Sequence, residues 1–471
     1  MKTMKYVLLG VAFAAIGTPV MAQDNKAVID EISKVIKSNP ADVADQVKAV
    51  YKKNKKNAEV LVGIGRAYLE VKDTANAVIY ADYGMKMKYG PAYMLRGDIY
   101  VLGENGNDAA VMYEQAIYFD PKNPEPYYKY ASVYRKVSPA GAVAKLEELR
   151  AQRPDVAVDA LAGRIYYQSN DFDQAIASFK KADFDKMELR DVRSFAMAYY
   201  LTQKYSESLD IAKKALSKEP RDAGFNRLAF FSNTDLKNYD EALQYADALF
   251  HRSDSAKFSY YDYTYYGNAL NGAKKYDEAI AAFQQALAQE FDSKDKRAGV
   301  IKTLSEAYSS QDKYAEAIKY YQEYLQEYST PTATDYAGLP QLYYYQASKQ
   351  TGDEMIASLG QADTLYAQLA EKYPDAVEYA TFWRARVNNA KDNDQQNGYA
   401  KPFYEKLIEL YSSRTELGRA DISRLKESYL YLISYEARVA NNFDAAKEHA
   451  VKLLEIDPEN AVAKQVIEAA K

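Results

Sequence analysis

The sequence predicts an all-α solenoid of stacked antiparallel helix pairs, and three observations carry that expectation. One short phrase recurs as Phe172-Asp173-Gln174-Ala175, Tyr205-Ser206-Glu207-Ser208, Tyr239-Asp240-Glu241-Ala242, Tyr276-Asp277-Glu278-Ala279 and Tyr314-Ala315-Glu316-Ala317. Its aromatic positions lie 33, 34, 37 and 38 residues apart, a period that marks stacked helical units rather than one globular core. Within a unit the spacing is helical. From Tyr260 to Phe291, Tyr263, Tyr266, Gly267 and Leu270 share the face of a first helix, Asn271 to Lys275 form a turn, and Ala279, Phe283 and Ala286 mark a second. Tyrosine is the compositional outlier, at 46 residues against 16 Phe and 1 Trp. Its ring fills the space between helices while its hydroxyl reaches water or a partner, which suits thin, two-layer walls.

Taken in order, the chain opens with Lys2 and Lys5, an apolar run from Tyr6 to Ile16, Gly17-Thr18-Pro19 and the small-residue pattern Val20-Met21-Ala22. Residues 1–22 read as a cleavable export signal, with cleavage expected after Ala22, because the apolar run is too short to span a bilayer. The expected location is periplasmic, or secreted, with no membrane span after cleavage. Cysteine is absent, which excludes a lipidated cysteine, disulfides and thiolate chemistry. Loss of the two signal lysines leaves 59 Lys+Arg against 66 Asp+Glu, a net charge of −7, and such a balance is a poor match for nucleic acid. Residues 23–56 are expected as N-terminal capping helices, 57–330 as the regular array, and 331–471 as divergent helical pairs with a C-terminal capping helix.

Two earlier units are nearly complete: Tyr93, Gly97, Tyr100, Ala109, Tyr113, Ala116 and Pro121, then Tyr127, Tyr130, Ala131, Tyr134, Ala142, Leu146 and Pro154, whose turn is one residue short. Gly163, Tyr166, Ala175, Phe179 and Ala182 continue the series. These positions resemble the tetratricopeptide repeat family, and the triplets Asp73-Thr74-Ala75, Asp254-Ser255-Ala256 and Asp363-Thr364-Leu365 resemble the O-glycosylation sequon of exported Bacteroidota proteins. The repeat resemblance implies a right-handed superhelix, here of about ten pairs, that acts without catalysis as a protein-binding scaffold. Two departures stand out. Insertions are expected after Asp254 and Ser293, where the period stretches, and Ala229-Phe230-Phe231 puts an aromatic where the repeat wants a small residue.

Catalytic chemistry has little to draw on. His251 and His449 are the only histidines, and neither has metal-ligand spacing; no phosphate-binding loop or nucleophile elbow is present. Gly63-Ile64-Gly65 lies inside a helix and lacks a third glycine, so no cofactor is expected. In the family the concave groove is lined by the second, fifth, ninth and twelfth residues of each repeat. With the register set by Gly163, Ala196, Phe230 and Gly267, these become Arg164, Tyr167, Arg190, Arg193, Tyr200, Arg227, Asn268 and Asn271. Arginine grips carboxylates bidentately and tyrosine adds stacking and hydrogen bonds, so the expected ligand is an acidic or C-terminal peptide segment of an envelope protein. The competing expectation is that the arginines pair with acids of neighbouring repeats. The family's chaperone-binding clamp finds a counterpart only at Asn268. A different ligand, an envelope glycan or small molecule, would use tyrosines of the Tyr260–Tyr266 cluster, with Tyr261 and Tyr265 expected to be exposed.

Overall fold

The computed structural model describes residues 18–412 and 414–469, with side chains from residue 25 onward. Residues 1–17, most of the expected export signal, lie outside the described residues. Among those described, every regular element is a helix, and the chain divides into two units, Met1–Pro220 and Arg221–Lys471.

Unit 1 consists of consecutive packed pairs: α1 (Thr18–Ser38) with α2 (Val43–Asn54), α3 (Ala58–Glu70) with α4 (Thr74–Lys86), α5 (Gly90–Leu102) with α6 (Gly106–Phe119), α7 (Pro124–Tyr134) with α8 (Pro139–Gln152), α9 (Asp159–Gln168) with α10 (Phe172–Phe179), and α11 (Leu189–Leu201) with α12 (Tyr205–Leu216). Unit 2 continues with α13 (Ala223–Asp235) and α14 (Tyr239–Asp247), α15 (Tyr260–Gly272) and α16 (Tyr276–Leu287), α17 (Lys294–Ser309) and α18 (Tyr314–Glu327), α19 (Ala333–Ala347) and α20 (Gly352–Lys372), α21 (Val377–Lys391) and α22 (Lys401–Ser412), and α23 (Arg419–Arg438) with α24 (Phe443–Ile456). The helix α25 (Ala461–Ala469) packs on the last pair. The described residues thus form twelve pairs and a final helix, more than the ten or so expected.

One turn repeats between first and second helices. Lys72, Glu104, Asn170, Gln203, Lys237, Lys274, Asp312 and Asn441 all adopt a left-handed backbone, with φ from 51° to 63°. Five places later comes a fully buried small residue: Ala77, Ala109, Ala175, Ser208, Ala242, Ala279, Ala317 or Ala446, each 0% exposed. The left-handed residue ends the first helix, and the next amide bonds back across the turn, as from Lys275 N to Leu270 O at 2.8 Å. A Cβ in this conformation is costly. Lys237, exposed and at φ 63°, therefore gives an expected result: Lys237→Gly stabilises unit 2 by about 0.5–1 kcal/mol. Urea melts followed by circular dichroism check it, and a loss of stability would contradict it.

The anomalous Phe230 has a packing explanation. A methyl group on Gly97, Gly163 or Gly267 would run into the ring of Tyr113, Phe179 or Phe283 respectively, so a missing side chain on the first helix accommodates a ring from the second. At Phe230 the relation is inverted. Phe230 is fully buried in one cluster with Ala246, and Ala246 occupies the place taken elsewhere by the ring. One large and one small residue fill each such contact, as close packing demands.

Both stretched spacings have local causes. After α14 the chain makes a π-helical turn, Ala248–Arg252, and an irregular run to Tyr260. The second arises because α17 has 16 residues where α11, α13 and α15 have 13. The polar stretch between α21 and α22 is ordered around Asp392, 4% exposed, which accepts from Asn397 N at 2.9 Å and Asn397 Nδ2 at 3.0 Å. Burial alone would raise its pKa, but these donors hold the carboxyl below the ordinary carboxylate value. The single tryptophan, Trp383 on α21, stacks on Tyr366 of α20 with ring centroids 5.9 Å apart and meets Tyr344 of α19 edge-on.

Candidate partner-binding face

All eight expected groove residues lie on first helices. Unit 1 holds Arg164 and Tyr167 on α9 and Arg190, Arg193 and Tyr200 on α11; unit 2 holds Arg227 on α13 and Asn268 and Asn271 on α15. Arg164 donates from Nε and Nη2 to the two oxygens of Asp191, at 2.6 and 2.7 Å. Arg227 donates from Nε to Asp262 at 2.5 Å and from Nη2 to the Lys257 carbonyl at 2.7 Å. The carboxylates are buried, with Asp191 1% and Asp262 2% exposed. Arg190 is exposed and pairs with Glu188. Tyr167 leans on Phe172 and Tyr200 on Tyr205, and Arg193 is also engaged. The Asn271 Oδ1 atom is buried without a hydrogen-bond partner among the described residues.

This geometry corrects the expectation for Arg164 and Arg227, whose forks are committed to internal acids. The acids follow a rule. Asp191, Asp262 and Asp335 are each the third residue of a first helix, where the exposed amides and the helix dipole favour negative charge. Asp262 and Asp335 also close capping boxes, accepting from Ser259 N at 2.9 Å and Thr332 N at 3.0 Å. Each then binds a cation from the preceding first helix, the third case being Lys302 Nζ to Asp335 at 2.9 Å. A cap and a repeat-to-repeat tie thus share one carboxylate.

In the tyrosine cluster, Tyr260 is buried and Tyr263 and Tyr266 pack in the core. Tyr265 departs from expectation. It stacks on Phe231 at 3.9 Å and donates to Asp235 at 3.3 Å, which leaves Tyr261 as the ring of this cluster more than a third exposed.

An open concavity that the sequence did not single out lies in unit 2. Three consecutive first helices, α17, α19 and α21, together with the short turn Pro374–Ala376, enclose a pocket of about 730 Å³. Lys302, Glu306 and Ser309 enter from α17, Gln341 and Tyr345 from α19, and Asp375 and Tyr379 from the start of α21 and the turn before it. Gln341 Nε2 donates to Tyr345 Oη at 3.1 Å. Gly338 lines the floor, where a side chain would collide with Tyr321 Oη. Glu306 opens to solvent, yet the surrounding walls desolvate its carboxyl and raise its pKa, with Lys302 opposing the shift.

Neither histidine lines this pocket. His251 is exposed beside Asp247 at 3.1 Å; His449, half-buried near Tyr429, has its pKa lowered by burial. Among the described residues no group of three His, Cys, Asp or Glu could hold a metal ion, and no helix is long and apolar enough to cross a membrane.

Family models described as tetratricopeptide repeat match residues 135–186 and 304–330, and no curated protein matches. Among solved structures, the chain is similar to the C-terminal part of a tetratricopeptide repeat-containing protein from Cytophaga hutchinsonii, with 23% identity, 58% of this chain and 98% of that chain covered, and a TM-score of 0.49. A tetratricopeptide repeat protein from Parabacteroides merdae gives 18% identity, 54% and 98% coverage and a TM-score of 0.35; yeast Tom70 gives 16%, 88% and 88%, and 0.32. The paired helices, their recurrent turn and the two matched segments agree, and the chain is a tetratricopeptide-repeat protein, built on the fold of protein-interaction scaffolds.

Proposed function

We propose that this chain is an exported, non-catalytic adaptor of the bacterial cell envelope, of a Bacteroidota-like type, that holds a segment of a partner protein on the face formed by its first helices. The observation that carries the reading is the pocket across α17, α19 and α21: open, framed by three first helices, and lined by amide, hydroxyl, aromatic and charged groups suited to an extended peptide. An acidic segment would have to displace internal acids, since Arg164, Arg190 and Arg227 already pair with Asp191, Glu188 and Asp262. The export part rests on the Lys2 to Ala22 pattern.

A photo-crosslinking amino acid at Gln341 is expected to capture a polypeptide in intact cells, while the same group at Val111, exposed on the second helix α6, is not. Equal capture from both positions, or none from Gln341, overturns the assignment. Fractionation with N-terminal sequencing tests export. The expected product begins at Gln23 in the periplasmic or secreted fraction, and a chain retaining Met1 in the cytoplasm refutes it.

A further inference from the structure

We infer that the pocket of α17, α19 and α21 is a cation subsite, which receives a lysine or arginine side chain of the bound peptide between the carboxylates of Glu306 and Asp375 and the rings of Tyr345 and Tyr379. The inference rests on the peptide-binding reading and adds the chemical class of the ligand.

Charge complementarity argues for it. Three ionic side chains besides tyrosine line the pocket. Lys302, its one cation, is spent on Asp335 at 2.9 Å, and Asp335 is itself 8% exposed and fixed by its own helix cap. Glu306 and Asp375 have no ion pair or side-chain hydrogen bond among the described residues. The cavity therefore presents two carboxylates without an ion-pair partner, Glu306 eased only by the field of Lys302, against a concave wall, where a field is focused. An anionic segment entering here would meet like charge and no free fork.

The rings point the same way. Tyr345 is 38% exposed on α19, and Tyr379 lies on the adjoining first helix. Aromatic faces attract ammonium and guanidinium groups, by more when the site excludes water. A guanidinium can bond one carboxylate bidentately and lie against a ring at once. Burial already penalises the charged form of Glu306, and an arriving cation relieves that penalty. Gln341 and Ser309 remain beside the charge to meet the backbone of an extended segment.

The test is selection from a random-peptide display library on the mature full chain, run in parallel on the Glu306→Gln, Asp375→Asn double variant. Both residues are exposed and both changes keep side-chain shape, so matched melting curves establish that the variant folds. The expected result is enrichment of Lys and Arg over Asp and Glu among recovered peptides. Their dissociation constants should rise about tenfold or more in the variant, the loss expected for a charge-assisted contact, and should weaken with added salt in the wild type. Peptides selected without a basic bias, or bound equally by the variant, overturn the cation subsite and leave the peptide-binding reading standing. Failure to recover any peptide above a bare-matrix control overturns both.

Discussion

Ala246→Phe is expected to destabilise unit 2 by about 2–3 kcal/mol and Phe230→Gly by about 3–5 kcal/mol, yet the double variant should lose far less than the sum. The single changes fail for opposite reasons. A second ring beside Phe230 overfills a contact that already contains one, and removal of Phe230 opens a void against Ala246, Ala242 and Ala269. Together they recreate the arrangement in which Gly267 receives the ring of Phe283. Urea unfolding of the four proteins in a double-mutant cycle should give a coupling of at least about 2 kcal/mol. Additive losses would mean that the two positions are packed independently, contrary to the complementarity proposed for them.

The second large effect is expected at Asp335. Its carboxylate accepts from Tyr324 Oη at 2.5 Å, Thr332 Oγ1 at 2.8 Å and Lys302 Nζ at 2.9 Å. Asp335→Ala removes all three and strands a cation and a buried hydroxyl, a loss of about 3 kcal/mol once the partial exposure of Lys302 is allowed for. Burial alone would raise the carboxyl pKa, but these donors outweigh it and hold it far below its ordinary value of 3.8. The unfolded chain therefore takes up the proton first as the medium is acidified. The contribution is complete above the unfolded value and is lost as pH falls below about 4 toward the depressed folded value. Melting temperatures of wild type and variant should differ most near neutrality and converge in acid. A difference that stays constant down to about pH 2.5 would assign the cost to packing instead of charge.

The fold was legible because its determinants are local and periodic. The buried small residue five places after these left-handed turns, alanine at all but Ser208, writes the period into the sequence itself. Pairing was harder to read. Arg164 and Asp191 are 27 residues apart, Arg227 and Asp262 35, and nothing local to either arginine distinguishes a repeat-to-repeat tie from a ligand contact. The signal that was available is positional: an aspartate at the third place of the next first helix. The pocket lies outside the expected groove residues because the register set by Gly163, Ala196, Phe230 and Gly267 ends one unit before it. Extended one unit from Ala317, the same groove rule reaches Lys302, Glu306 and Ser309. Beyond that, Pro340, buried within α19, interrupts the pattern just where Gln341 and Tyr345 follow.

Trp383 sits on α21 against Tyr366, in a fold whose units hold together chiefly through nearest neighbours. A lone indole at one address turns the molecule into its own optical probe. Its fluorescence reports the melting of the surrounding helices, while the helical dichroism sums over every pair. Where the two traces separate, the solenoid is unravelling in pieces; where they coincide, it unfolds as one cooperative body. The spacing between them thus measures how far a disturbance travels along the array, without a label added to the chain.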